Sequence, residues 1–121
     1  MQITRLLHTA ILVSDLAKAE HFYGEVLGLV KAEGRTSNFP GTWYQIGDCQ
    51  LHLIVHPEFR NQIFNQTKWG RNPHFAIAVD NLSAALARLQ SKGYPMQMSA
   101  SGRAAYFIQD PDHNILEISQ G

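Results

Sequence analysis

The chain has 121 residues, 45 % of them apolar, and ten basic side chains balance ten acidic ones for a net charge of zero. That balance excludes a surface built for nucleic acid or an anionic membrane, since both demand a basic excess. The length suits one compact domain that buries roughly two-thirds of its unfolded surface. Cys49 has no second cysteine to pair with, which is compatible with a reducing compartment. The first residues lead straight into a strand with no signal peptide, and no apolar run is long enough to span a bilayer, so the expected location is cytoplasmic.

Residues 6–13 form a near-continuous apolar run ended by Ser14 and Asp15, and read as a buried strand. Alternation puts Leu7, Thr9, Ile11 and Val13 on one face and Leu6, His8, Ala10 and Leu12 on the other. From Leu16 the period becomes helical. Leu16, Ala19, Tyr23, Val26 and Leu27 share a stripe, with Ser14 or Asp15 as cap and Gly28 as stop. Gly24 weakens that helix by about 1 kcal/mol relative to Ala. Residues 29–33, 42–46 and 50–55 follow as strands, separated by a loop at 35–41 and a turn at Gly47 and Asp48. Residues 56–71 are polar but studded with aromatics, and read as a connector with room for a short helical turn. Residues 75–79 restart the pattern, with Phe75, Ile77 and Val79 on a bulky face and His74, Ala76 and Ala78 on a small one. Leu82, Ala85, Leu86 and Leu89 make a second helix, capped by Asp80 or Asn81 and stopped by Gly93. Strands at 95–99, 104–109 and 115–119 complete the chain, with a flexible loop at 99–103 and a turn from Asp110 to Asn114 built on Pro111.

The chain repeats itself. The stretch from His8 to Leu16 returns sixty-six residues later from His74 to Leu82, with His, Ala, Ile, Val and Leu at the same offsets. Leu51-His52-Leu53 is echoed by Leu116-Glu117-Ile118. Such self-similarity is the mark of one structural unit used twice. The expected fold is therefore α+β, with two tandem βαβββ modules at about 1–56 and 73–121, a connector at 57–72, and a single domain over 1–121. A face of His and Ala is too small to fill a core. The curved mixed sheets are expected to form a cup that holds a metal, with the helices outside.

In both modules a coordinating side chain opens the unit and another closes it: His8 with His52, and His74 with Glu117. Three imidazoles and a carboxylate suit a borderline divalent ion such as Zn, Ni, Co, Fe or Mn. Four protein ligands leave an octahedral ion two positions for water or substrate, as a catalytic site requires. Glu117 lies in an apolar strand and needs a partner, since an unpaired buried carboxylate is costly. The alternative for His52 is a place behind the ligands, orienting them. His21 and His56 read as solvated. His113 occupies a turn where a left-handed conformation is expected, and Cys49 has no activating neighbour. Trp43, Tyr44, Tyr106, Arg35, Arg71 and Arg103 are candidate substrate contacts; wall packing and solvated loop charge account for them equally well.

The motifs "HTAILVSDLAKAEHFYGEVLGL" at 8–29 and "HFAIAVDNLSAALARLQSKGY" at 74–94 resemble the opening of a vicinal oxygen chelate module. "YFIQDPDHNILEIS" at 106–119 resembles the closing signature of that superfamily, which includes glyoxalase I, fosfomycin-resistance enzymes, methylmalonyl-CoA epimerase, extradiol dioxygenases and bleomycin-binding proteins. The resemblance implies paired modules around a divalent metal, with ligands in the first and last strand of each, here His8, His52, His74 and Glu117. For a small member it also implies a homodimer with sites shared between subunits. Glyoxalase I carries Glu where this chain has His52, the epimerase usually has Gln there, and His113 stands where the family usually has Gly. The implied chemistry is chelation of two neighbouring substrate oxygens, with Glu117 as base or ligand-and-base and His52 as the next candidate. The leading expectation is a metal-dependent glyoxalase-like lyase or isomerase acting on a small molecule. The alternatives are an Fe(II) extradiol-type dioxygenase using His8, His74 and Glu117, and a non-catalytic resistance protein that sequesters a drug or metabolite.

Overall fold

A computed structural model describes all 121 residues, which divide into two compact units, Met1–Arg60 and Asn61–Gly121. The first unit runs β1 (His8–Val13), α1 (Leu16–Glu20), a π-helical segment (His21–Val26), β2 (Val30–Lys31), β3 (Gly41–Ile46) and β4 (Cys49–Val55). The second runs a 3-10 turn (Trp69–Arg71), β5 (His74–Val79), α2 (Leu82–Ser91), β6 (Gln97–Met98), β7 (Ala105–Gln109) and β8 (Ile115–Gln120). Strand order is β1-β4-β3-β2 in one sheet and β5-β8-β7-β6 in the other, and neither sheet closes. In each unit the first strand pairs parallel with the last, and the last pairs antiparallel with the one before it. The two βαβββ modules and the α+β class are thus as the repeat implies.

The same local devices start and stop both helices. Asp15 Oδ1 accepts the Lys18 N–H at 3.0 Å, and Asn81 Oδ1 accepts the Ala84 N–H at 3.0 Å. Each bond satisfies a first-turn donor that has no partner inside the helix. Gly28 (φ 78°) and Gly93 (φ 81°) take the left-handed conformation beyond the helix ends.

The first helix departs from expectation. Only Leu16–Glu20 is α-helical, and the next turn widens, so that the Leu27 N–H reaches the Phe22 carbonyl at 2.9 Å, one residue further than an α-helix allows. The widened turn lies over the ring of Tyr44. A Cβ at Gly24 would stand 3.3 Å from the Tyr44 hydroxyl, so the glycine gives that ring its space.

Phe22, Tyr23 and Val26 from this segment are buried, as are Tyr44, Leu51 and Leu53 on the helix-covered face of β3 and β4. In the second unit α2 lies against β8, with Leu82, Leu89, Leu116 and Ile118 buried. Each such side chain removed from water contributes about 1.5–3 kcal/mol. On β1, exposure alternates as expected: His8, Ala10 and Leu12 are exposed while Thr9 and Ile11 are half-buried. On β5, His74, Ala76 and Ala78 are exposed while Phe75, Ile77 and Val79 are half-buried. The histidine faces therefore lie away from both helix-covered cores.

The strands expected at 29–33 and 95–99 shrink to two residues each, at the far ends of their sheets. Most of the connector belongs to the second unit, where one buried side chain knots it. Asn72 Oδ1 accepts the N–H groups of Phe64 (2.6 Å) and Asn65 (3.0 Å), and Asn72 Nδ2 donates to the carbonyls of Asn65 (2.9 Å) and Trp69 (3.0 Å). Gln97 adds a second clamp, accepting from the Trp69 N–H at 2.7 Å and donating to the Thr67 carbonyl at 2.9 Å. These bonds supply partners for backbone groups that no helix or sheet serves.

Candidate functional site

Strand register carries the duplication down to single side chains. Ala10 lies opposite His52, and His52 opposite Trp43. In the second unit Ala76 lies opposite Glu117, and Glu117 opposite Phe107. Residues directly opposite on neighbouring strands share a face, and His8 and His74 join that face two residues before their alanines. His8, Ala10, His52 and Trp43 thus correspond to His74, Ala76, Glu117 and Phe107.

In the first unit three aromatic rings form a parallel stack. Trp43 and His52 have centroids 4.1 Å apart at 6°, and His52 and His8 are 4.1 Å apart at 10°. The small side chain of Ala10 leaves room beside them. Burial, followed by the positive charges of His8 and Arg35, holds His52 below the usual imidazole range, favouring its neutral form. His52 Nε2 lies 2.8 Å from Gln50 Oε1, and Gln50 Nε2 donates to Gln45 Oε1 at 3.0 Å. Gln45 Nε2 in turn donates to the carbonyls of Gly47 (2.8 Å) and Cys49 (3.2 Å). A groove of about 500 Å³ opens at the stack, with Arg5, Leu7, Asp48 and Gln50 among its walls.

In the second unit His74 Nδ1 lies 2.7 Å from the Asn72 carbonyl. A carbonyl only accepts, so Nδ1 carries the proton and Nε2 presents its lone pair. The Phe107 ring stands edge-on to His74 at 5.2 Å and 85°. The Glu117 side chain is 8 % exposed, and its Oε1 accepts from Arg103 Nη2 at 2.6 Å. Arg103 Nε donates to Ser101 Oγ at 3.0 Å. The partner that Glu117 requires is therefore supplied within its own unit, by an arginine that the sequence marks only as a candidate substrate contact. No spacing rule connects the two residues.

The four candidate ligands fall into two pairs, His8 with His52 and His74 with Glu117. No third His, Cys, Asp or Glu joins either pair to form a metal-holding group. The donor chemistry fits a divalent ion, and His74 is already oriented by a carbonyl behind it, as metal-ligating histidines generally are. His8 and His52 lie in contact as stacked rings on adjacent strands, so the first pair is already brought together.

Trp43 lies on the histidine face. Tyr44 does not: it is 1 % exposed, packs near Tyr23, and its hydroxyl has no hydrogen-bond partner. Burial and the negative charge of Glu20 push its pKa up to about 12. Tyr106 pairs with Ile118 and shares that residue's face, opposite to Glu117. Arg35 donates to the carbonyls of Ser37 and Phe39, bracing its own loop. His21 pairs with Glu25 at 3.0 Å on the surface, and His113 takes the expected left-handed conformation at φ 66°. Arg71 lines a cavity of the second unit together with Arg103 and His74.

Residues 5–118 match the Glyoxalase/Bleomycin resistance protein/Dioxygenase superfamily. The chain belongs to this superfamily. A probable lactoylglutathione lyase of Vibrio cholerae is 26 % identical to it, over 96 % of this chain and 90 % of that protein. The mitochondrial methylmalonyl-CoA epimerase of Homo sapiens is 30 % identical, over 89 % of this chain and 68 % of that protein. The crystal structure of a glyoxalase/dioxygenase from Nostoc punctiforme superposes with a TM-score of 0.78 at 19 % identity, covering 94 % of this chain and 88 % of the other. That likeness concerns the fold. Both sequence relatives bear enzyme names, and for this glyoxalase-superfamily chain the reaction must be argued from its own side chains.

Proposed function

We propose that this superfamily member is a metal-dependent glyoxalase-like lyase or isomerase acting on a small substrate with two neighbouring oxygens. The observation that carries this reading is the register: three imidazoles and one carboxylate stand at duplicated positions on the sheet faces turned away from the helices, His8 and His74 exposed and His52 and Glu117 buried. A divalent ion (Zn, Ni, Co, Fe or Mn) would be held by His8, His52, His74 and Glu117, and would stabilise negative charge developing on a substrate oxygen. His74 offers Nε2 because Asn72 holds Nδ1. His52 is kept neutral by its surroundings, the form that can donate a lone pair. Glu117 would serve as base or as ligand-and-base through the oxygen that Arg103 leaves free, with His52 the next candidate for the base. Trp43, beside His52, and Arg103, beside Glu117, are the candidate substrate contacts of their respective units.

Each unit presents half of the ligand set, and we assign the protein to a cytoplasmic homodimer in which the halves are combined. β1 and β5 end their sheets without the Lys, Pro or bulge that usually protects such a strand. Ile3, Leu6, Leu7 and Leu12 add exposed aliphatic surface that suits burial against a second copy. No helix is long and apolar enough to cross a membrane.

The test is elemental analysis of purified protein together with assays of turnover. Stoichiometric nickel, zinc or cobalt with conversion of a hemithioacetal supports the lyase. Iron with oxygen-dependent catechol cleavage would replace it by a dioxygenase built on His8, His74 and Glu117. Drug binding indifferent to chelators would replace both by sequestration. His74→Ala should empty the site, and unchanged metal content in that variant removes His74 from the ligand set.

A further inference from the structure

We propose that the cavity of the second unit binds the oxyanion end of a ligand, a carboxylate or phosphoryl group, through Lys68, Arg71 and Arg103. This deepens the functional reading by naming the charge on the substrate, yet anion binding there requires neither metal nor turnover. The cavity measures about 290 Å³ and also exposes Ser99, Ser101 and His74 on its walls. That volume lies near the lower bound for small-molecule sites.

Charge is concentrated in this cavity although the chain as a whole is neutral. Three cationic groups line it, and the one carboxylate close by, Glu117, is held by Arg103. Lys68 and Arg71 have no acidic partner. A guanidinium has five N–H donors in a fixed fork. Arg103 uses one on Ser101 and one on Glu117, so three remain for a ligand. Ser99 and Ser101 bond each other at 2.8 Å, fixing the hydroxyl on which Arg103 rests.

The walls are set before any ligand arrives. Gln97 and Asn72 tie down the backbone at the entry to the Trp69–Arg71 turn, at Thr67 and Trp69. Gly70, between the two free cations, lets that turn sit directly on Phe107; a Cβ there would stand 2.5 Å from the ring. A site whose backbone is already ordered loses less entropy on binding. Guanidinium forks match the planar oxygens of carboxylate and phosphoryl groups, and the lysine adds a point charge.

The experiment uses full-length protein freed of metal on a chelating resin, at low salt. Inorganic phosphate, acetate and choline are titrated in turn and followed by amide chemical shifts. We expect saturable shifts confined to residues 68–74 and 97–103 with phosphate or acetate, and none with choline. The tighter of the two anions identifies phosphoryl or carboxylate recognition. Lys68→Gln and Arg71→Gln are surface changes that should leave the spectrum folded and weaken binding about tenfold each. Non-saturating shifts scattered over the surface, or wild-type affinity in both variants, would overturn the assignment. No metal enters this readout, so its failure leaves the metal reading intact, and an empty metal site leaves this one intact.

Discussion

Gln50 Oε1 faces Nε2 of His52 at 2.8 Å, and Gln45 decides that it is the oxygen, not the nitrogen, that does so. The Gln45 amide nitrogen is committed to two carbonyls, so its oxygen must receive the Gln50 amide nitrogen. An amide oxygen only accepts. The proton of neutral His52 therefore resides on Nε2, and the lone pair on Nδ1. Nitrogen-15 spectra of the metal-free protein at pH 8 should show the Nε2–H tautomer. Gln50→Leu should mix the two tautomers. A proton found on Nδ1 of the wild-type ring refutes the relay.

The same ring sets a pH dependence. His52 titrates below its unfolded value of about 6.5, because burial and then the charges of His8 and Arg35 oppose protonation. The unfolded chain thus binds more protons at this group than the native one, and stability rises with pH in the window between the two values. The contribution is complete above about pH 6.5 and is lost as the pH falls toward the native midpoint. Urea unfolding between pH 5 and 7.5 should show this slope and His52→Gln should lack it. By proton NMR, His8→Ala should move the His52 midpoint upward, since it removes both a charge and part of the cover. A midpoint that stays put or falls contradicts the attribution.

The Tyr44 hydroxyl is buried without a partner. Removing such a group sacrifices no hydrogen bond and spares its desolvation. Tyr44→Phe should leave stability unchanged or raise it by up to about 1 kcal/mol, measured by reversible denaturation. A loss larger than about 1 kcal/mol would show that the hydroxyl is satisfied after all.

Much of this architecture was legible because it is local. Face alternation on β1 and β5, the caps at Asp15 and Asn81, and the stops at Gly28 and Gly93 all depend on neighbours a few residues away. The π-helical turn was not, because Tyr44 reaches the helix from a strand about twenty residues distant in sequence. Trp43 and Tyr44 look alike as adjacent aromatics, and only the register of β3 on β4 shows that the first shares a face with His52 and the second is core. The pairing of Glu117 with Arg103 was hidden for another reason. A long side chain from a Ser- and Gly-rich loop can reach many places, and no periodicity reports which one it chooses.

Asn72→Ala removes the knot of the connector. Its five side-chain bonds to backbone, the one to the Lys68 carbonyl long at 3.4 Å, are each worth about 1 kcal/mol or less with partial compensation by water, and give an expected loss of about 2–4 kcal/mol. Gly70→Ala forces a methyl group against Phe107 and should cost about 1–3 kcal/mol. Both are read as shifts of the urea midpoint at constant slope. A Gly70→Ala protein as stable as wild type would mean that the turn lifts off the ring freely.

Asn72 is buried through its side chain and touches His74 through its carbonyl. A surface loop ordinarily accepts insertions with little consequence. This one is wired to an imidazole two positions downstream, so lengthening it between Phe64 and Asn72 would rotate a candidate ligand as well as loosen a tether. Grafted peptides and affinity tags placed in that stretch should register as a changed histidine before they register as a changed melting point.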